Sequence, residues 1–194
     1  MNFVPLESIA HIQLGKMLSP KSKTGKAAFP YLRNQNVQWH RFNLNDLATM
    51  DFSEREREKF KLRSGDLLIC EGGEPGRCAV WKGQLDNCYY QKALHRVRPF
   101  SGVANSDFLA LWIRHQAASG AFTDQNAKTT IAHLPLVRLS QLLVPTVDFR
   151  DQCAIALKIS GQMAEVDQLL KSATAQLQDI KQLPTKLLAE TFRY

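Results

Sequence analysis

The chain has 194 residues, 44% of them hydrophobic, and a formal charge of +7 from 25 Lys and Arg against 18 Asp and Glu. That length admits one medium domain with an appendage or two small domains, and the apolar share allows a real core. No stretch approaches 18 apolar residues, and Met1-Asn2-Phe3-Val4 lacks the charged, then apolar, pattern of an export signal, so the sequence reads as soluble, cytoplasmic and without a membrane partner.

The charge is unevenly spread. Residues 1–148 carry 19 basic and 13 acidic groups, and residues 149–194 carry 6 and 5. Between Glu7 and Asp46 there is no carboxylate, while Lys16, Lys21, Lys23, Lys26, Arg33 and Arg41 all fall there. A one-signed stretch of that length suits a polyanion. Cys70, Cys78, Cys88 and Cys153 show no C-x-x-C spacing and no His cluster, so they read as free thiols and no metal site is expected.

In chain order, Val4 to Ile12 opens a strand or a helical turn, and Gly15 to Ala27 is a polar, Lys-rich loop. Phe29 to Val37 reads as a strand ending in the turn Arg33-Asn34-Gln35-Asn36. Ser53 and Glu56 make a capping box for a short surface helix over Glu54 to Lys61, whose charged residues are expected to face solvent. The turn Ser64-Gly65-Asp66 leads into a buried strand at Leu67 to Cys70, followed by the Gly-rich segment Glu71 to Gly76 and a strand at Arg77 to Trp81. Cys88 to Val97 is expected as one strand, with Lys92, Arg96 and Arg98 tending to share a face. Ser106 is the expected cap of a helix over Asp107 to Ser119, closed by Gly120, with Phe108, Leu111, Trp112 and Phe122 in the core.

The C-terminal region carries the strongest periodicity. After the proline-broken strand Leu142 to Val147, Asp148 can cap a helix with Asp151 in its first turn. Ala156, Ile159, Met163, Val166, Leu170, Ala173, Leu177 and Ile180 then recur in steps of three and four, a seam that another helix can cover. To Gln182 this helix would reach about 50 Å. A break is expected at Pro184, followed by a short helix over Leu183 to Phe192 that offers Leu187, Leu188 and Phe192. The fold class is therefore α+β: a globular domain over 1–147 with a mainly antiparallel sheet, and a helical region over 148–194.

No catalytic constellation emerges. There is no Pro-Pro pair of the kind that amine-directed DNA methyltransferases carry, and the Gly72 to Gly76 segment lacks the strand-to-helix context of a dinucleotide or P-loop site. Asp66, Glu71 and Glu74 could hold a nuclease metal ion only with a lysine at short spacing, which is absent. The five His residues have no nucleophile elbow near them. The chain reads as a binder.

Six fragments, in order, carry a resemblance: Leu6-Glu7-Ser8-Ile9 with Gly15; Phe29-Pro30-Tyr31-Leu32-Arg33-Asn34-Gln35-Asn36-Val37; Phe60 to Ile69 with the Gly-rich segment after it; Gln91 to Pro99; Lys128-Thr129-Thr130 to Leu134; and Pro145 with Asp151-Gln152 and Ile155. Together they resemble the DNA specificity subunit of type I restriction–modification systems. The resemblance implies a target recognition domain joined to a coiled-coil helix and no catalysis in this chain. Methyl transfer from S-adenosylmethionine belongs to a separate modification subunit, and a restriction subunit is a further possible partner. Family members have two recognition domains and two helices, so this chain resembles a half-subunit, and a second copy of itself through an antiparallel coiled coil is an expected partner.

Side-chain chemistry agrees with double-stranded DNA as ligand. Lys21, Lys23 and Lys26 suit phosphates. Arg33, Asn34, Gln35 and Asn36 are types that reach base edges. Gly73, Arg77, Gln91, Lys128, Thr129 and Thr130 complete the expected contacts. The expected helical interface is Ile159, Met163, Val166, Leu170, Ala173, Leu177, Ile180 and Leu187. Two other classes stay open on sequence grounds: a protein–protein adaptor with a basic docking domain, and a stand-alone restriction endonuclease.

Overall fold

The computed structural model describes residues 2–122 and 133–192, with Lys21 in backbone only. The chain divides into two compact units, Met1–Cys153 and Ala154–Tyr194. Among the described residues the first unit is built on two sheets. Strands β1 (Phe3–Pro5), β2 (Ala10–Leu14), β3 (Ala28–Leu32), β4 (Val37–Gln38), β5 (Arg41–Phe42), β6 (Ala48–Asp51), β7 (Leu67–Cys70), β8 (Cys78–Val80), β9 (Tyr89–Tyr90), β10 (Leu94–Pro99) and β11 (Leu143–Pro145) are joined by helices α1 (Glu54–Phe60), α2 (Ser106–Ala118) and α3 (Leu136–Ser140).

The larger sheet has the order β2-β10-β7-β8 and is antiparallel throughout. The smaller has the order β6-β3-β9, with β9 parallel to β3. Pairs β1–β11 and β4–β5 are antiparallel ribbons. The mixed α+β class with mainly antiparallel pairing is therefore as expected.

Cys88 to Val97 departs from the single strand expected. The chain turns at Gln91 to Ala93, where Leu94 N–H donates to the Gln91 carbonyl at 3.0 Å, and it leaves one sheet for the other. Gln91 N–H bonds the Leu32 carbonyl of β3 while Lys92 N–H bonds the Lys16 carbonyl, just beyond β2, so neighbouring residues serve different segments. Lys92 consequently lies outside the strand and is exposed. Arg96 and Arg98 share a strand face, and both are engaged internally. Gly15 makes this crossing possible, because a Cβ there would stand 2.3 Å from the Gln91 oxygen.

The main core lies between the sheets and α1. Phe52 stacks on Tyr89 with ring centroids 4.3 Å apart, Phe42 meets Trp81 edge-on at 5.2 Å, and Leu32, Leu68, Trp81 and Leu94 are fully buried. Such edge and offset contacts add to the large area that each ring removes from water. Helix α2 starts one residue earlier than its sequence suggests: Asn105, not Ser106, caps it, accepting from Phe108 N–H at 2.9 Å. Ser106 instead donates its hydroxyl to the Gly65 carbonyl.

Helix α4 runs unbroken from Phe149 to Thr191 with Pro184 inside it. Asp148 caps it as expected, accepting from Arg150 N–H at 2.9 Å. The break expected at Pro184 is absent. Proline forfeits the bond its own N–H would give to Ile180 and crowds that carbonyl, and the flanking Leu, Gln, Lys and Ala, strong helix formers, carry the helix across it. At 43 residues the helix is about 65 Å long. Its first turn belongs to the first unit through Gln152, which is buried, accepts from Asn105 N–H and donates to the Val103 and Val147 carbonyls.

Candidate nucleic-acid interface

The turn after β3 is a rigid piece of backbone. Asn36 accepts from Arg33 N–H at 2.9 Å and donates to the Asn43 and Asp46 carbonyls, so its side chain is used up inside the loop. It is 1% exposed and shapes the turn from within. Arg33 and Gln35 both reach the Asp46 carboxylate at 2.8 Å, which gathers them on one side of the turn. Asp46 is the residue that ends the carboxylate-free stretch.

Asn34 links this turn to the Gly-rich loop. Its amide donates to the Gly72 carbonyl at 2.8 Å, and Arg77 donates to the Asn34 carbonyl at 3.1 Å and to Glu74 at 3.0 Å. Gly73 has φ +75°, and a Cβ on it would sit 3.0 Å from the Asn34 amide nitrogen. The expected contacts Arg33, Asn34, Gln35, Gly73 and Arg77 are therefore brought together in one surface. The Asn34 amide oxygen and the Nε atoms of Arg33 and Arg77 are buried with no partner in the protein, so these three atoms are not presented at the surface.

The Lys-rich loop is held by a residue that sequence reasoning missed. Asp51 accepts from the N–H groups of Thr24, Gly25 and Ala27 and from the Thr24 hydroxyl, at 2.6 to 3.0 Å. The Ala27 bond leads the set that holds its carboxyl below the ordinary carboxylate range. Lys23 and Lys26 stand exposed on the loop so clamped. Lys16, from the same basic stretch, is committed elsewhere: it donates to Glu56 at 2.6 Å and to the Asp51 carbonyl, and lies over the Phe52 ring. Glu56 thus anchors the segment that follows β2 and is not merely a solvated helix residue. Sequence could have flagged it only through its capping role.

The remaining expected contacts are dispersed. Gln91 is half-buried at the crossing between the sheets. Lys128, Thr129 and Thr130 lie outside the described residues. On α4, Val166, Leu170, Leu177, Ile180 and Leu187 are each more than half exposed, with Ile159 at 36%.

The acidic and sulfur groups do not converge. Asp66 pairs with Arg98, Glu71 with His133 at 3.3 Å, and Glu74 with Arg77. No group of three or more His, Cys, Asp or Glu that could hold a metal ion occurs among the described residues. Burial pushes the Cys70 thiol up to about 11 and the Cys88 thiol up to about 12, with Cys78 raised further, so none of these three offers a thiolate. No helix among the described residues is long and apolar enough to cross a membrane.

No family model matches the chain. It is 25% identical over 190 residues to the type I restriction enzyme EcoKI specificity subunit of Escherichia coli (strain K12), covering 93% of this chain and 40% of that protein. A structure described as underlying complex assembly and conformational transition of the type I R-M system superposes with a TM-score of 0.77 at 16% identity, over 99% of this chain and 45% of that one. The HsdS subunit from Thermoanaerobacter tengcongensis gives a TM-score of 0.66 at 15% identity, over 94% and 43%. The type I restriction-modification S subunit from M. genitalium gives 0.56 at 16%, over 88% and 41%. The resemblance read from the six fragments therefore holds in sequence and in fold. The chain spans a little under half the length of each of these relatives.

Proposed function

We propose that the chain is a half-length specificity component of a type I restriction–modification methyltransferase, working in the cytoplasm on double-stranded DNA. In this reading the first unit binds one half of a bipartite target, and the chain performs no chemistry itself. A separate modification subunit supplies S-adenosylmethionine and methylates an adenine, and a restriction subunit can join the same complex. The observation that carries the reading is the match of 93% of this chain to 40% of a specificity subunit: one globular unit followed by one long helix.

The surface chemistry supports DNA as the ligand. Exposed Lys23 and Lys26 on a clamped loop suit phosphates, which position a protein without reading sequence. The turn offers Arg33 and Gln35, gathered on one side by Asp46 and of types suited to base edges. Two copies pairing antiparallel through α4 would supply the second recognition unit, with half-sites separated by more than one DNA turn of about 34 Å.

The test is to co-express the chain with its cognate modification subunit in a host lacking DNA methylation and to map N6-methyladenine across the genome. Methylation confined to one bipartite sequence, and dependent on this chain, is the expected result. Methylation that persists without the chain, or cleavage of DNA by the purified chain with Mg²⁺, would overturn it.

A further inference from the structure

Of the carboxylates that sequence alone marks as conspicuous, Asp66, Glu71 and Glu74, Glu74 is the most exposed, at 51% of its side chain against 1% and 14%. We infer that Glu74 is a base-reading residue, accepting a hydrogen bond from an exocyclic amine on the major-groove edge of the DNA, cytosine N4 or adenine N6. This rests on the DNA reading proposed above.

The location comes first. Glu74 sits on the Gly-rich loop that Asn34 ties to the turn carrying Arg33 and Gln35, so it belongs to the same surface. A carboxylate on a DNA-facing surface repels phosphates. Its favourable partners there are the amines of the bases, and a glutamate accepting from cytosine N4 is the standard pairing. The Arg77 guanidinium, 3.0 Å away, balances its charge and reduces the cost of bringing it near a polyanion.

The geometry is that of a group held ready. One carboxylate oxygen accepts from the Trp39 indole N–H at 2.6 Å and the other accepts from Arg77. Each oxygen has a second acceptor site, and the side chain is 51% exposed, so acceptor capacity remains on the solvent side. Two donors from separate elements fix the rotamer before any ligand arrives, which lowers the ordering cost of binding.

Trp39 is itself presented at a cost. It and His40 form the two-residue tip joining β4 to β5, where Gly or Asn is usual, and His40 takes φ +60°. His40 N–H bonds the Cys78 carbonyl at 2.9 Å, which pins the tip to β8. The Arg114 guanidinium lies 5.8 Å from the Trp39 ring centre. Beside the tip opens a groove of about 410 Å³ lined by Trp39, Glu74, Pro75, Arg114, Ala118 and Phe122. It combines apolar walls, the Arg114 guanidinium and one fixed acceptor, and the carboxylate in that set favours a base amine over a phosphate.

The experiment is selection from a library of randomised duplex DNA by the full chain with its cognate modification subunit, comparing wild type, Glu74→Gln and Trp39→Phe. Gln adds a donor where Glu only accepts, and Phe removes the indole N–H while keeping the ring. The expected result is a motif unchanged except at one base pair, where Glu74→Gln relaxes the preference for the amine-bearing base by about 5- to 150-fold. Trp39→Phe weakens the same position less, and Glu74→Gln, which removes a charge that repels phosphates, does not lower affinity for random duplex. A C·G pair at that position identifies cytosine N4, and an A·T pair identifies adenine N6. A Glu74→Gln motif identical to wild type, or a uniform loss at every position, overturns the assignment alone. If wild type enriches no sequence, the DNA reading fails and this assignment fails with it.

Discussion

Arg98 closes a two-pronged ion pair on Asp66, with Nε donating to Oδ1 at 2.6 Å and Nη2 to Oδ2 at 2.7 Å. The carboxylate side chain is 1% exposed and also accepts from Arg63 N–H at 2.7 Å, so the pair ties β10 to the turn before β7. Replacing Arg98 with Met would leave a buried anion with a single backbone donor. Losing one partner of such a pair costs about 3 kcal/mol, chiefly the penalty of the charge left behind. Urea unfolding of Arg98→Met should register that loss. A change under about 1 kcal/mol would mean that the pair behaves like an exposed one.

His95 makes a second prediction, about pH. Its ring Nε2 lies 2.8 Å from the Leu134 carbonyl, which fixes that nitrogen as the donor, while Nδ1 is buried with no partner. Burial pushes its pKa below the ordinary 6.5, against opposing pulls from the Leu134 carbonyl and the Glu71 charge, with His133 adding to the lowering. Below about 6.5 the unfolded chain therefore binds a proton that the native state resists. This contribution to stability is complete above that pH and falls as pH drops through it. Unfolding free energies measured from pH 7.5 to 5.5 should decline, and His95→Gln should flatten the decline. An equal slope in the variant would place the titrating group elsewhere.

How much of this was legible in the sequence differs by the range of the interaction. The capping box at Ser53 and Glu56, the cap at Asp148 and the strand at Leu67 to Cys70 are local, and they appear as read. Local signals were ambiguous by one residue at Asn105 and Ser106, since both types cap and only the Gly65 contact decides which. Long-range pairings had no signal. Lys16 looked like one more cation of a basic stretch, although Glu56 holds it, and Asp51 gave no hint of closing the Lys-rich loop. The turn at Gln91 to Ala93 was hidden within a strand-like run, because nothing in such a pattern announces a change of sheet. For the candidate site, the residue types of the Asn-rich turn were readable. That Asn36 points inward and that Trp39 joins Glu74 were not, because both depend on how separate loops meet.

The Lys-rich loop allows a prediction on binding. Asp51 organises its backbone and leaves Lys23 and Lys26 exposed, which suits non-specific phosphate contacts. Each such contact releases condensed counterions and contributes about 0.9 to the slope of log K against log salt concentration. Replacing Lys21, Lys23 and Lys26 with Ala should lower the slope by up to about 3 and weaken all sequences alike. The check is a salt titration of binding to random duplex DNA. An unchanged slope would remove this loop from the interface.

The last prediction concerns α4. Ile159, Val166, Ala173, Ile180 and Leu187 are seven residues apart, as are Met163, Leu170, Leu177 and Pro184. Pro184 thus occupies a place in the seam's own register, and the apolar stripe runs through it to Leu187 in one continuous helix. Val166 is 61% and Leu170 64% exposed in the single chain, so the stripe has apolar surface to bury on a partner. Placing Asp at both positions would bury two carboxylates in any helix–helix seam, at a cost of several kcal/mol and hence at least about a 100-fold weaker association. Light scattering of the wild-type chain should give a dimer, and Val166→Asp with Leu170→Asp should give a folded monomer. A double variant that fails to fold would instead make the stripe part of the chain's own core. A wild-type chain that is monomeric at every concentration would exclude self-pairing and leave the seam to a helix of another subunit.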